Sequence, residues 1–232
     1  TAGAVARLGR YEQAAEMSGE VAKLSPTVQG ERHPNTIIRT TNYANYLERT
    51  GHPEKARDLL DGNIPLGISV WQREHYHIPH MHHIRGNAYR EIGDFEASIR
   101  DHREGIAISA DIWPDDDYRR GTAWHSLGTT LVASGRFEEA TDAFDKALAN
   151  AEIAEGGARR IPTIRYWQGL IAYRNGDLET ADSLYSEAAE EIDVMRGIAP
   201  LMLKSARVRL WMDRKAFDQA RPYVEEIIAL DD

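Results

Sequence analysis

The sequence predicts an all-α protein: a right-handed superhelical α-solenoid of antiparallel helix hairpins, with about five and a half repeats. Three observations predict this class. A short glycine-led motif recurs about every 42 residues, an apolar stripe of helical period lies on each side of it, and the composition is that of a folded, non-membrane chain. The position of each repeated motif fixes where the neighbouring helices are predicted to begin and end.

The repeated motif begins with glycine in five places and with lysine in the sixth. Its first residues are Gly9, Gly51, Gly93, Gly135, Gly176 and Lys215, which gives spacings of 42, 42, 42, 41 and 39. Glycine adopts the left-handed conformation that ends a helix, and the small residue five places later allows the next helix to pack closely. We therefore call this residue the marker of its repeat. Because Lys215 stands in place of glycine, we allow for a different backbone conformation in the sixth turn.

An amphipathic helix is predicted on each side of a marker: a leading helix before it and a trailing helix after it. Around Gly135 the leading face holds Trp124, Leu127, Gly128 and Leu131, and the trailing face holds Phe137, Ala140, Phe144 and Ala147. The predicted helices are 11–24, 35–50, 53–61, 78–92, 95–111, 118–134, 137–154, 162–175, 178–195, 200–213 and 216–230. Pro34, Pro79, Pro162 and Pro200 stand near leading-helix starts, where a missing N–H costs nothing. Pro65 predicts a break in the second trailing helix, followed by a fresh turn over 66–73.

The phasing predicts one domain over 1–232. Its repeats are about 1–32 (partial), 33–74, 75–116, 117–158, 159–197 and 198–232. The first repeat lacks about half of a leading helix, and the last trailing helix has no polar cap, which repeat arrays need for solubility. We expect a fragment of a larger protein, or ends that pair in a homodimer.

Composition excludes several classes of protein. Hydrophobic residues make up 42% and charged residues 28%, so disorder is not expected. The net charge of −9 argues against a nucleic-acid partner. The absence of cysteine removes thiol catalysis and Cys-ligated metal, and it is compatible with a cytoplasmic setting. No apolar run approaches the roughly 18 residues of a membrane span.

The fourth repeat carries a family resemblance. Its residues Trp124, Leu127, Gly128, Gly135, Phe137, Ala140, Phe144 and Ala147 resemble the tetratricopeptide repeat signature, as do Gly86, Tyr89, Gly93 and Phe95 before it and Gly169, Gly176, Ala181, Tyr185 and Ala188 after it. The long period and His33-Pro34-Asn35-Thr36 resemble the kinesin-light-chain type, which also occurs in bacterial signalling proteins. The resemblance implies a scaffold or regulatory module that binds protein, without enzymatic activity or cofactor.

One face of each leading helix consists of the residues that lie 13, 10, 6 and 3 positions before the marker. We predict that this face lines a concave groove. With flanking arginines, the candidate groove residues are Thr41, Asn45, Glu48, Arg49, His80, His83, Asn87, Arg90, His125, Thr129, Tyr166, Tyr173, Arg174 and Arg209. Asparagine amides can bond an extended peptide backbone, arginines can hold carboxylates, and tyrosines supply rigid contact area. The predicted partner is therefore a protein or extended peptide with an acidic or C-terminal carboxylate group. A structural role, in spacing or self-association, is the alternative.

A histidine-rich stretch, 75–83, is the other unusual feature. His80 and His83 lie one helical turn apart and could share a metal that His77 completes. Alternatively, the histidines could be solvated, or hydrogen-bonded to neighbouring repeats, at a loop-to-helix junction. The stretch offers no cysteine and no carboxylate at a suitable distance, which favours the junction, and a pH-sensitive contact is a further reading. No nucleotide loop or serine elbow is present in the sequence, so we expect no catalytic site.

Overall fold

A computed structural model describes residues 1–191 and 199–228, and within these ranges the chain is all-α. The helices are α1 Ala2–Arg7, α2 Tyr11–Gln29, α3 Pro34–Arg49, α4 Pro53–Trp71, α5 His77–Ile92, α6 Phe95–Ile112, α7 Tyr118–Ala133, α8 Phe137–Ile153, α9 Ile161–Arg174, α10 Leu178–Glu190, α11 Ala199–Asp213 and α12 Phe217–Ile228. A 3₁₀ turn, Gly157–Arg160, precedes α9. The predicted class of antiparallel helix hairpins is confirmed.

The helices pair as leading and trailing members of hairpins, and the chain divides into two compact units. The first unit, Thr1–Pro114, contains α1 to α6, and α3 and α5 pack side by side as leading helices. The second unit begins at Asp115; there α9 contacts both α7 and α11, which are also leading helices. In each unit, therefore, neighbouring leading helices share one side.

The turn at each marker has a left-handed backbone. Gly93, at φ 91°, caps α5, and its N–H donates to the Arg90 carbonyl over 3.1 Å. Lys215 adopts φ 57° in the sixth turn, although a side chain makes that conformation costly. The sixth turn thus keeps the geometry of the others despite its different residue.

The predicted break at Pro65 is wrong, because α4 runs without interruption from Pro53 to Trp71. Tertiary contacts around the proline hold the helix together. Ile64 is buried in the core of the first unit, and Gly67 lies where an added Cβ would be 3.2 Å from the Ile78 side chain. Packing on both sides of Pro65 therefore outweighs the lost hydrogen bond. The second helix is also longer than predicted: α2 passes through Pro26 and ends at Gln29 rather than at 24.

Other predicted helix ends agree within one or two residues where the structure describes them. The tenth helix ends at Glu190 rather than continuing to 195. The predicted residues 192–195 and 229–230 lie outside the described residues. None of the helices in the described part combines the length and apolar character that a bilayer crossing requires.

Candidate functional site

The leading-helix face of the first unit brings several predicted residues together on α3 and α5. Asn45 and Asn87 occupy equivalent places 42 residues apart, and both side chains are half-buried. The Asn87 amide lies 3.4 Å from His83 Nε2, and its Oδ1 accepts from Arg90 Nη1 over 3.5 Å. Asn87 is thus held by α5 neighbours one helical turn away on each side. This arrangement presents amides and a guanidinium on one side of the unit.

A pair of carboxyl groups lies at the end of this face. Burial, followed by the nearby Glu91, raises the pKa of Glu48 to about 7, while Arg90 and Arg49 oppose the shift. The two carboxyl groups share a hydrogen bond, so they hold a proton between them. Glu91 was not among the predicted residues, because at this flanking place, two residues before the marker, only arginines were selected. The carboxyl pair makes the electrostatics of this face sensitive to pH.

Two predicted members of the face are placed differently. Thr41 is 3% exposed and is therefore not a groove residue. Its hydroxyl accepts from Asn63 Nδ2 over 2.9 Å, because the unbroken α4 places Asn63 against α3. Arg49 is exposed, but its Nη2 donates to the Tyr11 hydroxyl over 2.9 Å and its guanidinium covers the Tyr11 ring. Arg49 is therefore engaged with α2.

The histidine-rich stretch is mainly an aromatic stack at the start of α5. The His75 ring stacks on Trp71 with centroids 4.5 Å apart, and the His77 ring lies 4.2 Å from that of Tyr76. His80 is exposed and its ring centroid is 6.5 Å from that of His83. Across residues 1–191 and 199–228, no three histidine or carboxylate side chains group to hold a metal. The contacts of His75 and His77 thus favour the junction reading.

Behind α5, a buried polar network links the leading and trailing helices of the third repeat. Asp101 accepts from His82 Nδ1 over 2.9 Å and from Arg85 Nε over 2.7 Å. Burial alone would raise the pKa of Asp101, but the hydrogen bonds from Arg85 and His82 hold it below its usual value. Arg85 also reaches Asp61 of the preceding repeat over 2.9 Å. These bonds fix the helix that carries Asn87.

The second unit presents a pocket on the leading-helix side, between α9 and α11. Its volume is about 280 Å³, and its lining is Tyr166, Leu170, Leu201, Met202, Ser205, Ala206 and Arg209. Tyr166 is 7% exposed, so it forms a wall rather than a projecting contact. The pocket is mainly apolar with one guanidinium, which suits a large side chain beside a negative group. Leu201 and Ala206 were not predicted, because the spacing selected only one stripe of α11.

Two arginines of this pocket region remain available. Arg174 and Arg209 are both exposed, and Arg209 is part of the pocket lining. The Tyr173 hydroxyl donates to Asp213, which raises the pKa of the tyrosine. The Tyr185 hydroxyl is buried without a hydrogen-bond partner in the described structure, and burial raises the pKa of this tyrosine as well. The exposed guanidinium groups of Arg174 and Arg209 can therefore bond an added anionic group, whereas the Tyr185 hydroxyl is closed to solvent.

The two predicted residues on α7 are less open to a ligand. His125 is half-buried, and its ring meets Phe144 edge to face at 5.7 Å. The Thr129 hydroxyl donates to the Ser126 carbonyl of its own helix over 2.8 Å. Both side chains therefore have intramolecular contacts on α7 or α8.

Comparisons with known proteins agree with this architecture. Two tetratricopeptide repeat models match residues 77–153 and 125–193. Protein KINESIN LIGHT CHAIN-RELATED 3 of Arabidopsis thaliana is 32% identical over 103 residues, which are 41% of this chain and 15% of that protein. The chain thus spans a small part of its curated relative.

Solved structures share the fold at low sequence identity. BtubC (BKLC) from P. vanneervenii matches with a TM-score of 0.74 and 14% identity, covering 97% of this chain and 91% of that one. A candidate kinesin light chain from Podosopora anserina, with nearly identical TPR-like repeats, matches with a TM-score of 0.70 and 18% identity, covering 82% and 90%. The repeats, the hairpins and these matches lead to one conclusion: the chain is a tetratricopeptide repeat array of the kinesin-light-chain-like type.

Proposed function

We propose that the chain is a non-catalytic module that binds a protein or an extended peptide along its leading-helix faces. The observation that carries the proposal is the equivalence of Asn45 and Asn87 on the adjacent helices α3 and α5. Amides repeated along a face can pair with successive peptide groups of an extended chain, since each amide offers a donor and an acceptor. Such a module belongs in the regulatory or scaffolding part of a larger protein. The bacterial, signalling and cytoplasmic setting that the family resemblance suggests is part of the same proposal.

The charges support a ligand with an acidic or carboxylate group. In the first unit Arg90 lies beside Asn87, and in the second unit Arg174 and Arg209 are exposed near the pocket. Guanidinium groups hold carboxylates by paired hydrogen bonds. Each unit thus offers an arginine beside a polar or apolar contact surface, although the whole chain is acidic.

A random peptide display library selected on the intact chain tests this proposal. Among the selected peptides, those that bind the first unit are tested on the triple variant Asn45→Ala/Asn87→Ala/Arg90→Ala. We expect them to bind this variant at least about tenfold more weakly than the natural chain, since each lost contact costs about 1 kcal/mol. Fluorescence anisotropy measures the dissociation constants. The matched control Asn35→Ala/Asn175→Ala/Arg100→Ala removes the same residue types from exposed positions at a helix start, in a turn of the second unit and on a trailing helix. Equal binding by the first triple variant, or equal loss in the control, would contradict the proposal.

Self-association is the second candidate function. Exposed apolar side chains on α12 favour it: Phe217 is 53% exposed and Ile228 is 60% exposed. A dimer interface would remove these side chains from water. Sedimentation equilibrium decides this candidate, because a monomer at high protein concentration would count against it.

A further inference from the structure

A cleft lies on the trailing-helix side of the first unit, between α2 and α4. Tyr43 and Leu47 of the leading helix α3 form its floor, and its volume is about 540 Å³. A second hollow of about 340 Å³ shares this floor and extends along α4 to Leu59. We call the two hollows together the α2–α4 cleft. Tyr43 and Leu47 each stand two residues from Asn45, so at about 100° per residue they point away from the candidate groove face.

In the next repeat, a side chain of the leading helix bridges the two trailing helices beside it. This side chain is Arg85 of α5, which stands eight places before its marker. Arg85 Nη1 donates to Asp61 of α4 over 2.9 Å, and Arg85 Nε donates to Asp101 of α6 over 2.7 Å. The space between α4 and α6 is thus crossed by ion pairs of the chain itself.

The same place is also engaged in the later repeats. In the fifth repeat it holds Gln168, whose Nε2 donates to Asp145 of α8 over 2.8 Å. In the sixth it holds Arg207, whose Nη1 donates to the Tyr223 hydroxyl of α12 over 3.0 Å. In the fourth it holds Leu127, which is buried. From the third repeat to the sixth, therefore, this place is either bonded to a trailing helix or buried.

The α2–α4 cleft lacks such a bridge, because all three places carry other residues. Tyr43 stands where Arg85 stands one repeat later, and Gly19 and Leu59 stand where the later repeat has Asp61 and Asp101. An added Cβ at Gly19 would lie 2.9 Å from the Tyr43 ring, so the ring leans on α2. Neither glycine nor leucine offers a side-chain group that could bond across the cleft. The floor is consequently apolar and open.

The α2 wall of the cleft is acidic. Glu12, Glu16 and Glu20 line it at spacings of four residues, which places successive carboxylates about 6 Å apart along the helix. All three are exposed, and none forms an ion pair with a described residue. Lys23 lies at the end of this row, and Lys55 lies on the α4 wall. A segment on the apolar floor would therefore have unpaired carboxylates along one side.

We propose that the α2–α4 cleft binds a basic segment of a partner protein. The segment places an apolar side chain on Tyr43, Leu47 and Leu59, and its lysines or arginines face the glutamate row of α2. Charge complementarity selects this partner, because the row is unpaired and the whole chain carries a net charge of −9. The cleft is separate from the leading-helix face, so one chain can hold an acidic segment on one side and a basic segment on the other.

A display library of peptides rich in lysine, arginine, leucine and aromatic residues, selected on the intact chain, tests this proposal. We expect the tightest selected peptides to bind Glu12→Gln/Glu16→Gln/Glu20→Gln about tenfold more weakly than the natural chain. Three exposed ion pairs, each worth a fraction of that factor, account for the loss. Fluorescence anisotropy measures the dissociation constants. The substituted residues are exposed, so the fold is retained.

The matched control is Glu138→Gln/Glu152→Gln/Glu155→Gln, which gives the same net charge by removing three exposed carboxylates of the second unit. We expect it to bind the selected peptides within about twofold of the natural chain.

A further variant, Tyr43→Arg/Leu59→Asp, gives the floor the residue types of Arg85 and Asp101. An ion pair of this kind would occupy the apolar floor, and we expect at least a tenfold loss of binding. Circular dichroism checks that this variant is folded, and the charge variants decide the test if it is not.

Equal affinity of the peptides for the two charge variants would overturn the proposal, because it would show general attraction to an acidic chain. Unchanged binding by folded Tyr43→Arg/Leu59→Asp would overturn it as well. A selection that yields no binding peptide would have the same meaning. Peptides that lose affinity for Asn45→Ala/Asn87→Ala/Arg90→Ala, but not for the α2 variant, would belong to the leading-helix face and would also overturn it.

Discussion

Three glycines on leading helices each face the ring of a residue on the following trailing helix. Gly86 faces His102, Gly128 faces Phe144 and Gly169 faces Tyr185; an added Cβ would lie 2.7 to 2.8 Å from the nearest ring atom. These rings are 0–2% exposed. The absence of a side chain on one helix thus makes room for a ring from the next. The contact between glycine and ring sets how closely the two helices of a hairpin approach.

Alanine substitution at two glycines separates packing from helix propensity. We expect Gly128→Ala to lower the free energy of unfolding by about 1–3 kcal/mol, because the buried Phe144 ring has no free space into which it can move. We expect Gly62→Ala to raise it by about 0.5–1 kcal/mol, since Gly62 lies inside α4 with no heavy atom near its missing Cβ. Urea unfolding measures both changes. Changes of the same sign in the two variants would contradict this account.

The trailing helix α4 shows how an element can override a local breaking signal. Pro65 removes one backbone hydrogen bond, yet α4 continues to Trp71. The residues after Pro65, including Leu66 and Val70, pack against the core of the first unit. That packing also brings Asn63 to Thr41. The helix is continuous because the residues after Pro65 bury apolar side chains against the core of the first unit.

Replacing Pro65 should therefore stabilise the protein. We expect Pro65→Ala to raise the free energy of unfolding by about 1–2 kcal/mol, because alanine restores an N–H to the helix while giving the unfolded chain more freedom. Pro53→Ala, at the first residue of the same helix, should change it by less than about 0.5 kcal/mol, since that N–H has no helical partner. Thermal unfolding followed by circular dichroism measures both. A loss of stability in Pro65→Ala alone would contradict the explanation.

At the scale of the whole molecule, two groups act on stability in opposite directions as the pH changes. Burial, with His83 and Arg90 nearby, lowers the pKa of His102 from 6.5 to about 3. The unfolded chain therefore binds this proton more readily, and stability falls as the pH drops from about 6.5 towards 3. The pKa of Glu48 is raised from 4.5 to about 7, so its contribution is present below 4.5 and is lost as the pH rises towards 7. The two trends offset each other between pH 4.5 and 6.5.

Single substitutions should expose each trend. His102→Phe puts a phenylalanine against Gly86, as Phe144 lies against Gly128 one repeat later. We expect the melting temperature of this variant to fall as the pH rises from about 5 to about 7, because only the Glu48 trend remains. Glu48→Gln should have a melting temperature that rises over the same range. The natural protein should show a flatter profile than either variant. Differential scanning calorimetry at several pH values measures these slopes, and two variants that both follow the natural profile would contradict this account.

The sequence by itself determined the period, the hairpins, the turn positions and the family. The reason is that turn glycines and apolar faces are local signals repeated along the chain. It also led to Asn45, Asn87 and the arginines of the candidate face, since helical spacing selects one side of each leading helix. Only tertiary packing decided that α4 passes Pro65, that Thr41 is buried under Asn63, and that His102 is buried against Gly86. These outcomes depend on contacts between residues that are distant in sequence, where burial and partners set the free energy rather than local propensity.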